Sequence, residues 1–173
     1  MFKNLFRRGQ ADAAGDDSQE ITILAPVDGE VVPLEDVEDP MFSQKMLGDG
    51  LAVRPTSDTI VAPVSGTLTQ IFPTGHAAGI TTRQGIEVLI HVGIDTVELK
   101  GEGFTKLVEQ GAQVEAGTPL IRLDLDKLGK TAKSLVTPVI ITNMDKVEQL
   151  TRSTDQSVDA ATSWLLKIVP QKK

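Results

Sequence analysis

Chemistry at neutral pH would rest on two side chains of this sequence, His76 and His91, the only histidines in it. Taken blind, a histidine is more often a surface residue or a satisfied core residue than a catalyst, so the surroundings must decide. His76 follows Phe72-Pro73-Thr74-Gly75, which reads as a tight turn closing the strand that begins near Thr67. His91 closes the apolar run Ile86–Ile90 and is followed by Val92-Gly93. A glycine there lets the backbone approach the ring and turn a carbonyl toward it. A carbonyl on Nδ1 would fix the tautomer and leave Nε2 with a free lone pair. A phosphoryl acceptor requires a neutral, nucleophilic ring nitrogen of that kind. Two strand ends can bring the rings together, although the 14 intervening residues do not compel it.

Other chemistries lack their residues. There is no cysteine, which excludes disulfides, Cys-zinc sites and thiol nucleophiles. No G-x-S-x-G elbow is present for a serine hydrolase. No G-x-x-x-x-G-K-[ST] loop is present for a P-loop kinase. Gly48-Asp49-Gly50 is too short for a nucleotide fingerprint and reads as a tight turn between strands. The net charge of −7 repels phosphates, so nucleic acid is not a partner, and an acidic surface suits a basic protein better.

The elements that must position the histidines are short and β-rich. Aromatic residues are only 3 % of the chain, so Val, Ile and Leu must build the core, and in short runs they favour strands. Runs at Ile21–Leu24, Glu30–Val32, Leu51–Val53, Thr59–Val61, Thr67–Ile71, Glu87–Ile90 and Val136–Ile141 alternate with Gly and Pro. That texture predicts an all-β sandwich or barrel. Brief helices are expected near Pro40–Lys45, Thr105–Glu109 and Asp145–Leu150, and a last core strand at Trp164–Val169.

The chain also repeats itself. Ala25-Pro26-Val27-Asp28-Gly29 recurs as Ala62-Pro63-Val64-Ser65-Gly66, and Val108, Gly111, Val114, Gly117 and Leu120 punctuate a third segment. The pattern resembles the turns of biotinyl and lipoyl carrier domains, and that likeness implies a duplicated β-hairpin. The carriers' modified Lys between two Met residues is missing. Residues 1–20 read as a tail ahead of a single domain at 21–173. Phe2, Leu5 and Phe6 fall at helical spacing beside Lys3, Arg7 and Arg8, so residues 1–8 suit weak peripheral contact with an anionic membrane. The opening residues lack the apolar stretch of a secretory signal, and a cysteine-free chain suits a reducing cytoplasm.

Longer motifs carry a family resemblance over about residues 21 to 150. They are Gly48-Asp49-Gly50, Val61-Ala62-Pro63-Val64-x-Gly66, Phe72-x-Thr74-x-His76-Ala77, the stretch His91-x-Gly93-Ile94-Asp95-Thr96-Val97-Glu98-Leu99-Lys100-Gly101-Glu102-Gly103-Phe104, and Thr137-Pro138-Val139-x-Ile141-x-Asn143-Met144-Asp145. Together they resemble the enzyme IIA of the glucose-type sugar phosphotransferase system. The resemblance implies an antiparallel β-sandwich of the barrel-sandwich hybrid kind with a few short helices. It implies a phosphotransferase that takes phosphate from the phosphocarrier protein HPr onto Nε2 of His91. The group then passes to the IIB domain of a sugar permease, with no nucleotide or other cofactor. By the same likeness, His76 hydrogen-bonds the phosphoryl oxygens, supported by Thr74. An apolar partner face comprises Met41, Phe42, Leu47, Phe72, Leu89 and Val97, flanked by Asp39 and Asp95. Enteric relatives use that face to bind transporters and glycerol kinase. In such a complex zinc can sit between the two histidines (here His76 and His91) and a partner carboxylate. Gly75 stands where enteric members carry Asn, and Met41 and Leu89 stand for Val and Phe, so the face differs in shape.

A zinc peptidase of the lysostaphin type is the rival with a similar fold. It needs a His-x-His pair, a further His and an Asp. Here Gly93 stands two after His91 and no third histidine exists, which argues against it.

Overall fold

A computed structural model describes residues 19–172. Fourteen strands run through that span: β1 (Ile21–Leu24), β2 (Gly29–Val32), β3 (Asp49–Pro55), β4 (Thr59–Val61), β5 (Gly66–Ile71), β6 (Ala77–Thr81), β7 (Glu87–His91), β8 (Phe104–Lys106), β9 (Gln113–Val114), β10 (Pro119–Leu123), β11 (Thr137–Ile141), β12 (Val147–Arg152), β13 (Ser157–Val158) and β14 (Trp164–Pro170). All pairings are antiparallel. The largest sheet runs β13-β2-β3-β11-β7-β6-β5-β9, and two three-stranded sheets run β1-β14-β12 and β4-β10-β8.

Side-chain alternation explains how the sheets pack. Leu51 and Val53 on β3 and Val139 and Ile141 on β11 enter a core shared with β1, β4, β10 and β14. Ala52 and Ile140 point the other way, into a smaller cluster with Val32, Leu34, Val37, Phe42, Ile94 and Val136. All five residues of β11 are buried because the strand is covered on both faces. The expected antiparallel β-sandwich is therefore present, with a second apolar layer under the segment from Leu34 to Phe42.

The duplicated motif is a pseudo-two-fold. Leu24 N donates to Pro63 O at 2.8 Å, and Val61 N donates to Pro26 O at 2.7 Å. Each copy thus satisfies the other's backbone. The symmetry extends to a pair not read from the sequence, Val114-Glu115-Ala116-Gly117-Thr118 and Val158-Asp159-Ala160-Ala161-Thr162. Val114 pairs with Gly66 and Val158 with Gly29. Gly117 N donates to Ala62 O, and Ala161 N to Ala25 O. Ser65 Oγ accepts from Ala116 N, and Asp28 Oδ1 accepts from Ala160 N.

Three local expectations change. Thr105–Glu109 is not a helix: Phe104–Lys106 pairs with β10, and the rest is irregular. Asp145–Leu150 gives only a 3-10 turn at Met144–Lys146 before β12 pairs with β14. In both places pairing with a neighbouring strand outweighs helix-favouring Lys, Glu and Leu. Gly48-Asp49-Gly50 is not a turn, since Asp49 and Gly50 open β3. A Cβ at Gly50 would lie 2.0 Å from the Val139 carbonyl oxygen, so glycine is what lets β3 close on β11 there.

The helix near Pro40 forms as Pro40–Ser43, with Pro at its first turn and Asp39 Oδ1 accepting from Met41 N at 2.9 Å. Leu125–Thr131 forms a helix not foreseen from the sequence, capped by Asp124 on Lys127 N. β14 pairs with both β1 and β12 and buries Leu165, Leu166 and Ile168. The tail over residues 1–20, with its membrane-contacting segment 1–8, lies outside the described residues except for Gln19 and Glu20, both exposed.

Candidate functional site

β6 and β7 pair directly, with Ala77 opposite His91. His76 immediately precedes β6, and its carbonyl accepts from Val92 N at 2.7 Å. That register places the two imidazoles side by side at one end of the hairpin. Their centroids are 5.2 Å apart and their planes cross at 80°. The Phe72–Gly75 turn, closed by Gly75 N on Phe72 O, feeds His76 into this position.

Each ring has a distinct set of partners. His91 Nδ1 donates to the Gly93 carbonyl at 2.8 Å. A carbonyl only accepts, so Nδ1 carries the proton and Nε2 holds the lone pair in the neutral ring. His76 Nδ1 shares a hydrogen bond with the Thr74 hydroxyl. The Phe72 ring meets His76 edge-on at 5.1 Å, and the Phe42 ring lies tilted against His91 at 5.1 Å. His76 is buried and His91 half-buried.

Burial pulls the His76 imidazole down from 6.5 to about 4, with the neighbouring His91 acting in the same direction. Burial lowers His91 as well, while the Gly93 carbonyl and the charges of Asp39 and Asp95 oppose the fall. Both rings are held toward the neutral form at pH 7. The anionic groups favour a positive charge on the His91 ring.

The other anticipated side chains divide by exposure. Met41 (40 % exposed) and Val97 (53 %) present apolar surface on the segments flanking the pair. Leu47 and Leu89 are half-buried against the smaller cluster, and Phe72 is half-buried beside His76. Phe42 departs from expectation. At 2 % exposure it is a core residue that walls His91 from within, because the Asp39-capped turn points its ring inward. Asp39 is committed to that cap, and exposed Asp95 pairs with Lys133 at 3.8 Å.

Two further residues escaped the sequence reading. Met46 is 62 % exposed and closes back on the helix through its N–H to Met41 O. Its type and the polar Gln44-Lys45 before it gave the only signal. Thr96 is fully buried, with its hydroxyl donating to Val92 O. It stands inside the long His91 motif, but threonine by itself does not announce a buried hydroxyl.

Among the described residues, no group of three or more His, Cys, Asp or Glu gathers to hold a metal ion. The two imidazoles alone supply two ligands, so a closed zinc site would need further donors from elsewhere. The zinc-peptidase alternative therefore lacks its ligand set in the described fold.

Comparison with known proteins agrees with the geometry. Residues 21–147 match the model of the family described as phosphoenolpyruvate-dependent sugar phosphotransferase system, EIIA 1. The chain is 45 % identical over 150 residues to a PTS system glucose-specific EIIA component of Staphylococcus epidermidis, covering 87 % of each. A protein of the same description from Staphylococcus aureus is 43 % identical over the same coverage. Among solved structures, the glucose permease IIA from Mycoplasma capricolum superposes with a TM-score of 0.81 at 40 % identity. That match covers 86 % of this chain and 96 % of the other.

Proposed function

This chain belongs to the EIIA 1 family of the phosphoenolpyruvate-dependent sugar phosphotransferase system, in which it is a phosphoryl carrier, and we propose that the group rides on Nε2 of His91. The observation that carries this reading is the Gly93 carbonyl on His91 Nδ1. The proton is parked on Nδ1, so the Nε2 lone pair attacks phosphorus as the donor's P–N bond breaks. The product is a phosphoimidazolium, positively charged on the ring, which keeps its Nδ1 proton on the carbonyl. Asp39 and Asp95 favour that cation. When the group leaves, the ring departs as neutral imidazole, a better leaving group than an imidazolide.

His76 stabilises the transferring phosphoryl group. Its burial keeps it neutral at pH 7, and with the Thr74 hydroxyl donating to Nδ1 the proton sits on Nε2, ready for a phosphoryl oxygen. Phosphoryl transfer of this kind needs mainly positioning and charge stabilisation. Phe42 behind His91 and Phe72 beside His76 supply the positioning. The donor is HPr and the acceptor a cysteine of a permease IIB domain, both met in the cytoplasm on the face that carries Met41, Phe72 and Val97.

Phosphorylation adds about −1.5 to −2 charges to this face. Transporters or glycerol kinase, if they bury it, prefer the unphosphorylated form. A zinc ion on His76 and His91 would require a carboxylate from such a partner.

The test uses phosphoenolpyruvate, enzyme I and HPr with labelled phosphate. The unmodified protein should gain one acid-labile phosphate mapped to His91, and His91→Ala should gain none. His76→Ala should still take label but pass it to IIB on the order of a hundredfold more slowly, the cost of one lost oxyanion donor. Label on the His91 variant with none on the His76 variant would reverse the roles.

A further inference from the structure

The turn after His91 is held at two consecutive peptide units. Gly93 lies between them at φ 81°, a conformation in which its own torsions are soft. The peptide before it is pinned by the Thr96 hydroxyl, which donates to Val92 O. The peptide after it is pinned by Ile94 N, which donates to Ser134 O at 2.9 Å. The Gly93 carbonyl belongs to that second unit, and it is the group that receives the His91 proton. A Cβ at Gly93 would lie 2.5 Å from the Thr96 methyl and 2.7 Å from Ser134 O, so both pins press on the glycine from one side.

Thr96 is 0 % exposed, although threonine is mostly a surface residue. Its two γ substituents do different work. The methyl fills the space over Gly93, and the hydroxyl fixes the preceding carbonyl. Neither reaches a histidine ring in the described contacts, so any effect on His91 travels through the backbone.

We propose that Thr96 is a positioning residue whose hydroxyl, through the Val92–Gly93 peptide, holds the Gly93 carbonyl on His91 Nδ1 and so sets the tautomer that leaves Nε2 nucleophilic. The inference rests on His91 being the acceptor. Val in place of Thr96 keeps the shape and removes the hydroxyl; Ser keeps the hydroxyl and removes the methyl. The two substitutions therefore separate hydrogen bonding from packing.

The experiment reads the imidazole tautomers directly, by two-bond proton–nitrogen NMR on protein labelled with nitrogen-15 histidine, at a pH where both rings are neutral. In the unmodified protein His91 should show predominantly the Nδ1–H form. In Thr96→Val the Nε2–H form of His91 should gain about fivefold relative to the Nδ1–H form, the factor carried by one net hydrogen bond. Acceptance of phosphate from HPr should fall in step, while the His76 signals stay in place. Thr96→Ser should keep the unmodified tautomer ratio. An unchanged ratio in Thr96→Val, or an equal shift in both variants, overturns the proposal. Should Thr96→Val fail to fold, Thr96→Ala takes its place with the same expected shift. An acceptance test in which the unmodified protein takes its label somewhere other than His91 would overturn the functional reading, and the NMR ratios would still report on Thr96 itself.

Discussion

Replacing His76 by Gln should make the protein less sensitive to acid. The reasoning starts from burial, which with the adjacent His91 takes the His76 imidazole from 6.5 down to about 4 in the folded chain. In the unfolded chain the ring keeps its ordinary value. Between those two values the unfolded state binds the proton and the folded state does not, so falling pH favours unfolding. This part of the stability is fully present above about pH 6.5 and drains away as the pH approaches 4. The whole shift corresponds to about 3 kcal/mol. Solvent screening at the mouth of the site, where His91 is half-buried, brings it to about 2 kcal/mol. Urea denaturation at about pH 7 and about pH 4.5 would measure the loss for each protein. Carboxylates held by ion pairs also lose stability on acidification. Asp49 is one: burial raises it, yet Arg152 and the Gly50 N–H bring it down on balance. Such groups are common to both proteins and cancel in the comparison, as does any fixed cost of burying Gln. The unmodified protein should lose about 2 kcal/mol more than His76→Gln. Equal losses would refute the claim that burial keeps His76 neutral, and with it the argument that His76 serves as a neutral donor.

Other substitutions test the division between core and surface. Phe42→Ala should destabilise the fold by about 3 to 5 kcal/mol in urea denaturation, since the ring is buried between the smaller cluster and His91; a change below about 1 kcal/mol would return Phe42 to the surface. Val97→Ser should leave stability within about 0.5 kcal/mol and slow phosphate acceptance from HPr about fivefold, the worth of part of a valine buried in the encounter. Thr74→Val should leave acceptance by His91 in place and slow transfer to IIB about fivefold, because His76 loses the partner that fixes its tautomer. Gly50→Ala should be poorly tolerated in thermal unfolding, its Cβ falling 2.0 Å from the Val139 oxygen.

The site was more legible than the scaffold around it. Gly after a strand-ending histidine pointed to a carbonyl on Nδ1, and the hydrogen bond from His91 to Gly93 is there. The β-branched runs located most strands to within a residue or two. β6 escaped because Ala77-Ala78-Gly79 carries no β-branched signal; its strand character comes from pairing between β5 and β7. The helix at Leu125–Thr131 escaped because Gly129 interrupts it and Lys127 stands where a capping box would place Glu or Gln. Phe42 was read as surface because sequence places a side chain near a site without saying which way a four-residue helix turns it. Partners two strands away in sequence decided the segments read as helices at Thr105–Glu109 and Asp145–Leu150, and composition does not reveal them.

The two Ala-Pro-Val turns exchange hydrogen bonds as residue i of one with residue j of the other, and the reverse. That is the signature of an isologous contact, the kind made when two identical subunits meet. The chain has the architecture of a fused homodimer of half-length hairpin units. Only one half has acquired chemistry: His76 and His91 both follow the second Ala-Pro-Val copy, and the first half has no histidine at all. The corresponding stretch after the first copy, Leu34 to Phe42, instead builds the apolar wall on which His91 rests. Fusion would have allowed this division of labour, since in a true homodimer any histidine introduced on one side appears on both.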